Sequence, residues 1–520
     1  MKYLRMRLLP LALLLPVLFG AGLRGDQAQV HGWDFVPAGP VIRALESITA
    51  QSLRGRLSFL ASDTLEGRPT PSAGQDVAAE YIAAEFRRAG LETVGEKDYF
   101  QTVLLKESRP DRDSFRCRIS IGAKEITVPP DRFSMNAIAS LELDQSPIVI
   151  APLETRALEG MQTLDGKVLV AVTPPETAAP DTARPPGGDF YRRAGELGPR
   201  LIVVVRRSIV EEDGYFDRPQ LLSQTGGTAS GASRRPLVAT INDASLAEAL
   251  SSVLPEVKQA ALSLRIRERP PAERPLRNVA GLLRGFDPAL RDSYELLTAH
   301  YDGTGPRAGS SRDRIWNAAN DNASGTAAVI EVAAALSALP EKPRRSILFV
   351  CFFGEEKGML GSRHYGSNPL VPIDKTVAAV NLEQVGRTDA TEGDQAGKAN
   401  VTGYDYSEVG TILRLAGERM GIKVFKNEKF SDFYFMASDN IALARLGVPA
   451  HTLSVSYQFP DYHGAGDHWE RLDLANMERV VRTVALALLF IAQSDRVPRW
   501  DATNPRAERF AKAREQLQPK

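Results

Sequence analysis

The apolar residues of this chain change period as it proceeds, and the changes divide it. Near the amino end Ile42, Leu45, Ile48, Leu53, Leu57 and Leu60 recur at helical spacing, which predicts one helix over residues 41–60. Val77, Tyr81, Ile82, Ala84, Phe86 and Leu91 predict a second amphipathic helix, stopped by Gly90. From residue 114 to 264 the texture becomes short β-like runs broken by Pro and Gly, at 146–151, 167–172, 201–205 and 237–241, with one short helix over 190–197. From Asn278 on, apolar strands at 279–283, 295–299, 347–353, 377–382 and 450–455 alternate with helices at 326–339, 408–420 and 472–491. The residues after Asp495 are polar and Pro-containing and are expected to fray.

Strands alternating with helices predict an α/β fold, a mixed and largely parallel central sheet with helices on both faces. Residues 38–113 and 277–495 read as two parts of one main domain, 114–267 as an inserted smaller α/β unit, and 496–520 as a polar tail. The Pro-rich stretch from Glu268, ERPPAERPLRN, reads as the return linker. In such sheets functional groups gather beyond the carboxyl ends of the strands. His300, the pair Glu355 and Glu356, and Glu383 each stand at or just past a predicted strand end, and His463 lies in the loop after a fourth.

Composition narrows the functional classes. At 520 residues the chain is too long for one ordinary core, and its 64 acidic and 64 basic residues balance. No polybasic patch argues for nucleic acid. Lys2, Arg5 and Arg7, then an apolar run from Leu8 to Phe19 and the small residues Gly20 to Gly22, read as a secretory signal over 1–25. The expectation is an exported protein, periplasmic or extracellular, with no membrane span once the signal is removed; an uncleaved anchor is the alternative. Cys117 and Cys351 are far apart and outside any CxxC-type pattern, and Cys351 sits within ILFVCFF, so thiolate chemistry is a poor candidate.

The chemistry concentrates between Tyr294 and His463. Residues two apart on a strand share a face, so His300 and Asp302 can point together, the imidazole at a metal and the carboxylate behind it. Asp321 arrives in a polar loop, IWNAANDNASG, just before a helix. Glu355 and Glu356 follow an apolar strand, where two neighbouring carboxylates would repel unless cations offset them. One can then ligate while the other acts as general base. Three carboxylates, Asp321, Glu356 and Glu383, with the imidazoles of His300 and His463, suit two Zn²⁺ ions; Co²⁺ and Mn²⁺ are alternatives on ligand type. His468 shares the loop DYHGAGDHW with His463; His463 is preferred because Tyr462 and Asp467 flank it and, in part, for the family resemblance described next. His364 and His451 read as structural, and His31 lies in the amino-terminal junction.

HYD, NAANDNASG, GEEKGMLGS, NLEQVGR, SDN followed by GVP, and YHGAGD occur in this order. Their order and spacing are similar to those of the co-catalytic dizinc aminopeptidases of metallopeptidase family twenty-eight, relatives of glutamate carboxypeptidase and the transferrin receptor. The motifs cover residues 278–491, LSFLASDTLEGRPTPSAGQ resembles the family's amino-terminal segment, and the insertion resembles a protease-associated domain. The resemblance implies that Asp321 bridges two zinc ions, with His300 and Glu383 completing one site and Glu356 and His463 the other. Glu355 would be the general base, Asp302 the support for His300, and Tyr462 an oxyanion stabiliser. It also implies a cis peptide at Asp321–Asn322. This chain departs from the family's pattern at Asn320 and Gly464, where Asp and Thr are common, and at Glu383, where Asp is common.

The expected activity is hydrolysis of N-terminal residues from peptides. A carboxypeptidase, a glutaminyl cyclase and a non-catalytic receptor-like binding module are the alternatives. Peptides are the expected partners, and a homodimer is open.

Overall fold

The computed structural model describes residues 33, 35–137, 140–174, 188–207, 215–216, 220–222, 236–252, 260–306 and 313–517. The predicted signal and His31 lie outside the described residues. Among those described, no helix is long and apolar enough to cross a membrane.

A mixed ten-stranded sheet carries the main domain. Its centre is four parallel strands in the order Ala450–Ser454, Thr376–Leu382, Tyr294–His300 and Ser346–Phe352. Antiparallel strands continue it on both flanks, beginning with Ala272–Leu283 beside Ser346–Phe352 and with Lys398–Val401 beside Ala450–Ser454. The central strands are buried along their whole length, as expected for parallel strands covered on both faces. Alternate residues divide between two cores. Leu297, Phe349 and Val380 face one that includes the helices Ser324–Ser337 and Leu474–Ala492, whereas Leu296, Leu348 and Ala379 face a second with Tyr365, Phe435 and Trp500.

A second sheet of eight strands spans residues 116–266 and has apolar cores of its own on its two faces. Its strands Val168–Val172 and Leu201–Arg206 are parallel neighbours. From the same stretch of chain, Gln220–Leu222 pairs with Phe100–Ser108 at the edge of the large sheet.

Three expectations about elements need correction. The helix predicted over 41–60 is two, Gly39–Glu46 and Ala50–Leu60, because Thr49 and Ser52 form a reciprocal capping box that starts a new helix. The stretch expected to be a linker belongs to the long strand Ala272–Leu283. Pro275 is accommodated because it lies where that strand pairs only with Phe100–Ser108; its pairing with Ser346–Phe352 begins at Val279. Phe100–Ser108 was not anticipated as a strand. The tail expected to fray instead buries Trp500, Ala507 and Phe510 and forms the helix Glu508–Leu517. Trp500 donates from Nε1 to the Gly447 carbonyl at 2.9 Å.

Candidate metal centre

The carboxyl ends of the four parallel strands converge. His300 is the last residue of its strand, and Glu383 follows Leu382 directly. After Phe352 the chain turns at Gly354, whose φ of +68° is a left-handed conformation that costs glycine little, and this turn presents Glu355 and Glu356. After Ser454 a longer loop brings His463. Asp321 sits in an irregular turn ahead of the helix Ser324–Ser337, and the Asp321–Asn322 peptide is cis.

Asp321 stands between two imidazoles and offers one oxygen to each. Its Oδ1 is 3.4 Å from His300 Nε2 and its Oδ2 is 3.2 Å from His463 Nε2. Glu356 Oε1 is 3.3 Å from the same His463 nitrogen, and Glu355 Oε2 is 4.0 Å from His300 Nε2. Two sets of ligand atoms therefore form, His300 with Asp321 and Glu383, and Asp321 with Glu356 and His463, each with its atoms within 4.8 Å of one another. Asp321 belongs to both. Buried polar atoms are normally paired, yet His300 Nε2 and Glu356 Oε1 are buried with no hydrogen-bond partner. Two orphaned, convergent electron-pair donors in a mixed imidazole and carboxylate set fit a zinc-type cation.

Electrostatics support the same reading. Burial pushes Glu355 well above the ordinary carboxylate range, raises Glu356, and lifts Glu383 to about 7. For His463, burial disfavours the charged form, but the neighbouring Asp321 and Glu356 carboxylates outweigh it and raise the pKa to about 10. Burial also opposes ionisation of Asp321, and the two histidines reverse this and hold its pKa low.

Supporting groups orient this set. His300 Nδ1 is 3.2 Å from the Asp302 carbonyl oxygen and 3.5 Å from its Oδ1, which leaves Nε2 aimed at Asp321. Asp302 Oδ1 accepts from the Glu355 backbone N–H at 3.1 Å, and its Oδ2 accepts from Thr70 at 3.0 Å. Gln75 donates to Thr70 in turn. Asp467 accepts from the backbone N–H groups of Asn320 and Asp321 at 2.9 and 3.1 Å. Tyr462 lines the cleft, its ring stacked on His463 with centroids 4.1 Å apart.

Every site residue named from the sequence lies in this region. The remaining described histidines lie elsewhere. His451 is buried between Ser407 Oγ at 2.6 Å and the Thr402 carbonyl at 2.8 Å, His364 lies in the helix Leu360–Ser367, and His468 pairs with Asp313 at 3.1 Å. Sequence reasoning missed Arg68, Thr70 and Gln75. Arg68 is fully buried, and its guanidinium donates to the carbonyls of Tyr301, Leu60, Asn317 and Ala318. The signals were the polar loop that contains it and the likeness of LSFLASDTLEGRPTPSAGQ to the family's amino-terminal segment. The fully buried Asp439 was seen only as part of the motif SDN; burial raises its pKa to about 6, with His300 opposing.

Comparison with known proteins agrees with this geometry. The family description "Peptidase family M28" matches residues 278–488. Aminopeptidase NAALADL1 from Mus musculus is 27% identical over 220 residues, covering 36% of this chain and 29% of the relative. Aminopeptidase YwaD from Bacillus subtilis is 25% identical over 211 residues, covering 39% and 42%. The chain thus spans less than half the length of these curated relatives. The solved zinc aminopeptidase from Bacillus subtilis has a TM-score of 0.55 at 19% identity, with 85% of this chain and 94% of that one covered. The aminopeptidase from Aneurinibacillus sp. strain AM-1 gives 0.54 at 17%, covering 88% and 97%. These two share the fold. The segment that gathers these carboxylates and imidazoles at the strand ends, residues 278–488, is the part of the chain that matches peptidase family M28.

Proposed function

We propose that the chain is an exported, zinc-dependent aminopeptidase with two Zn²⁺ per chain. The observation that carries this reading is Asp321, with one oxygen toward His300 and the other toward His463. One cation would be held by His300, Asp321 and Glu383, the other by Asp321, Glu356 and His463. Zinc, when bound, lowers the pKa of water at the site and polarises the scissile carbonyl. Glu355 takes the proton of the attacking water and returns it to the leaving amine. Asp302 keeps the His300 ring and the Glu355 backbone in place through the contacts described above. Tyr462 donates to the oxygen that gains charge as the carbonyl is attacked. Export rests on the amino-terminal apolar run, and residues 114–267 are proposed as a protease-associated-like unit.

The cleft favours a free amino terminus over a free carboxylate. It has a volume of about 190 Å³, and Asp321, Glu355, Glu356 and Glu383 line it with neutral side chains such as Gln384, Thr402, Tyr434 and Tyr457. No lysine or arginine is among its described lining residues. A substrate ammonium meets acceptors there, whereas a substrate carboxylate finds no fork-shaped donor to bind it. The test is a panel of amino-acid p-nitroanilides against their N-acetylated counterparts, with and without chelator. Cleavage of the free-amine substrates, lost on chelation and restored by Zn²⁺, is expected. Cleavage of the acetylated substrates alone overturns the aminopeptidase assignment.

A further inference from the structure

We propose that Arg387 is a positioning residue that sets the spacing between the two halves of the metal centre, by tying the His463 loop to the loops that carry Glu383 and Asp321. The inference rests on the two-metal reading above.

The five ligands are not held equally. His300 and Glu383 are fixed at the ends of central strands, whereas His463 lies in an extended loop, with its side chain 37% exposed and a φ of +49°. A left-handed conformation at a non-glycine residue persists only where its surroundings enforce it. The far end of the loop is held by Asp467, which accepts from the Asn320 and Asp321 backbone. The near end is held by Asp461, two residues before His463, whose Oδ2 accepts from the buried Arg387 guanidinium at 3.0 Å and from the more exposed Arg471 guanidinium at 2.6 Å. Asp461 is tucked under its own loop, since a Cβ at Gly466 would come within 2.1 Å of its Oδ1.

Arg387 is suited to be the fixed point. Its side chain is 3% exposed. Two of its nitrogens grip Asp389, Nε at 2.6 Å, while its third nitrogen reaches Asp461 and its guanidinium lies 5.1 Å from the Phe459 ring centroid. Its backbone is anchored as well. Asn320 Oδ1 accepts from the N–H groups of Gly386 and Arg387 at 2.8 and 3.0 Å. The contacts close a ring from Asp321 through Asn320, Arg387, Asp461 and His463 to Asp467 and back to Asp321. Arg387 also follows Glu383 by four residues, so one residue couples all three loops, its side chain reaching the His463 loop and its backbone the Asn320 side chain. A lysine could keep the charge but not the forked grip.

The experiment titrates metal-free full-length chain with Zn²⁺ by calorimetry, comparing wild type with Arg387→Gln, Arg387→Lys, Asp461→Asn and the double variant R387Q/D461N. Wild type is expected to take up Zn²⁺ in two steps. Arg387→Gln and Asp461→Asn are expected to leave the tighter step within about twofold and to weaken the other by about 10–100-fold, the usual effect of losing a group that orients a ligand. Arg387→Lys should fall between. The double variant should be weakened by less than the product of the two single effects, because the two residues share the Arg387–Asp461 contact, although Arg387 also holds Asp389 and Asp461 also accepts from Arg471. Two steps in wild type with both unchanged in the variants overturn the proposal, as does equal weakening of both steps, which marks general loss of structure. A single equivalent in wild type removes the two-metal reading itself. Should Arg387→Gln fail to fold, Asp461→Asn and Arg387→Lys carry the same comparison.

Discussion

The two sheets of this protein are built from similar strands and end differently. In the smaller sheet, Val168–Val172 and Leu201–Arg206 are apolar, parallel and buried, much like Tyr294–His300 and Ser346–Phe352 in the larger one. The residues just past their carboxyl ends set them apart. Those two strands of the smaller sheet run into Thr173 and Arg207, and Val238–Asn242 runs into Asp243. Asp243 is fully used, since one oxygen caps the helix Ala244–Ser251 through the Leu246 N–H at 2.9 Å and the other pairs with Arg132 at 2.6 Å. In the larger sheet, His300 Nε2 and Glu356 Oε1 are buried and unpartnered. Among the described residues both metal-capable groups lie there. A buried apolar strand makes a scaffold; polar atoms left unsatisfied at its end make a site.

Breaking each end should therefore have different consequences. The largest effect is expected for Glu355→Gln, which removes the proposed base but none of the five proposed ligands. The kcat should fall by about 10²–10⁴-fold, with metal content unchanged by elemental analysis. An unimpaired rate would remove Glu355 from its role. A much smaller effect is expected for Asp243→Ala in the other sheet. Losing a helix cap costs about 1 kcal/mol, so amide hydrogen exchange should quicken across Ala244–Ser251 while metal content stays at the wild-type level. Loss of bound metal in that variant would contradict the division of roles between the two sheets.

What was legible in the sequence follows the same division. The strand ends of the larger sheet could be read because long apolar runs such as ILFVCFF are followed at once by acids. The four parallel strands at the centre of that sheet followed from the same runs. Groups whose partners are distant in the chain were not legible. Arg68 serves carbonyls as far away as Ala318, Thr70 serves Asp302, and Arg387 reaches Asp461. None of these has a local periodicity, because each acts through hydrogen bonds across loops. Other misses were local signals overridden by context. Pro275 suggested a break but lies where its strand has one partner, and the polar composition after Asp495 hid the pairing of Trp500 with Phe510, whose rings stack 5.2 Å apart. Thr49 shows the opposite case: the apolar spacing ran through it, and its cap divided the helix.

The central claim is that Asp321 joins two ligand sets into one two-metal centre. It is tested most directly by counting Zn²⁺ per chain in fully loaded protein, wild type and Asp321→Asn, by elemental mass spectrometry. Two ions per wild-type chain, falling below one in Asp321→Asn, is the expected result, because each set loses the carboxylate they share. A single ion in loaded wild type, or two ions retained by Asp321→Asn, would contradict it.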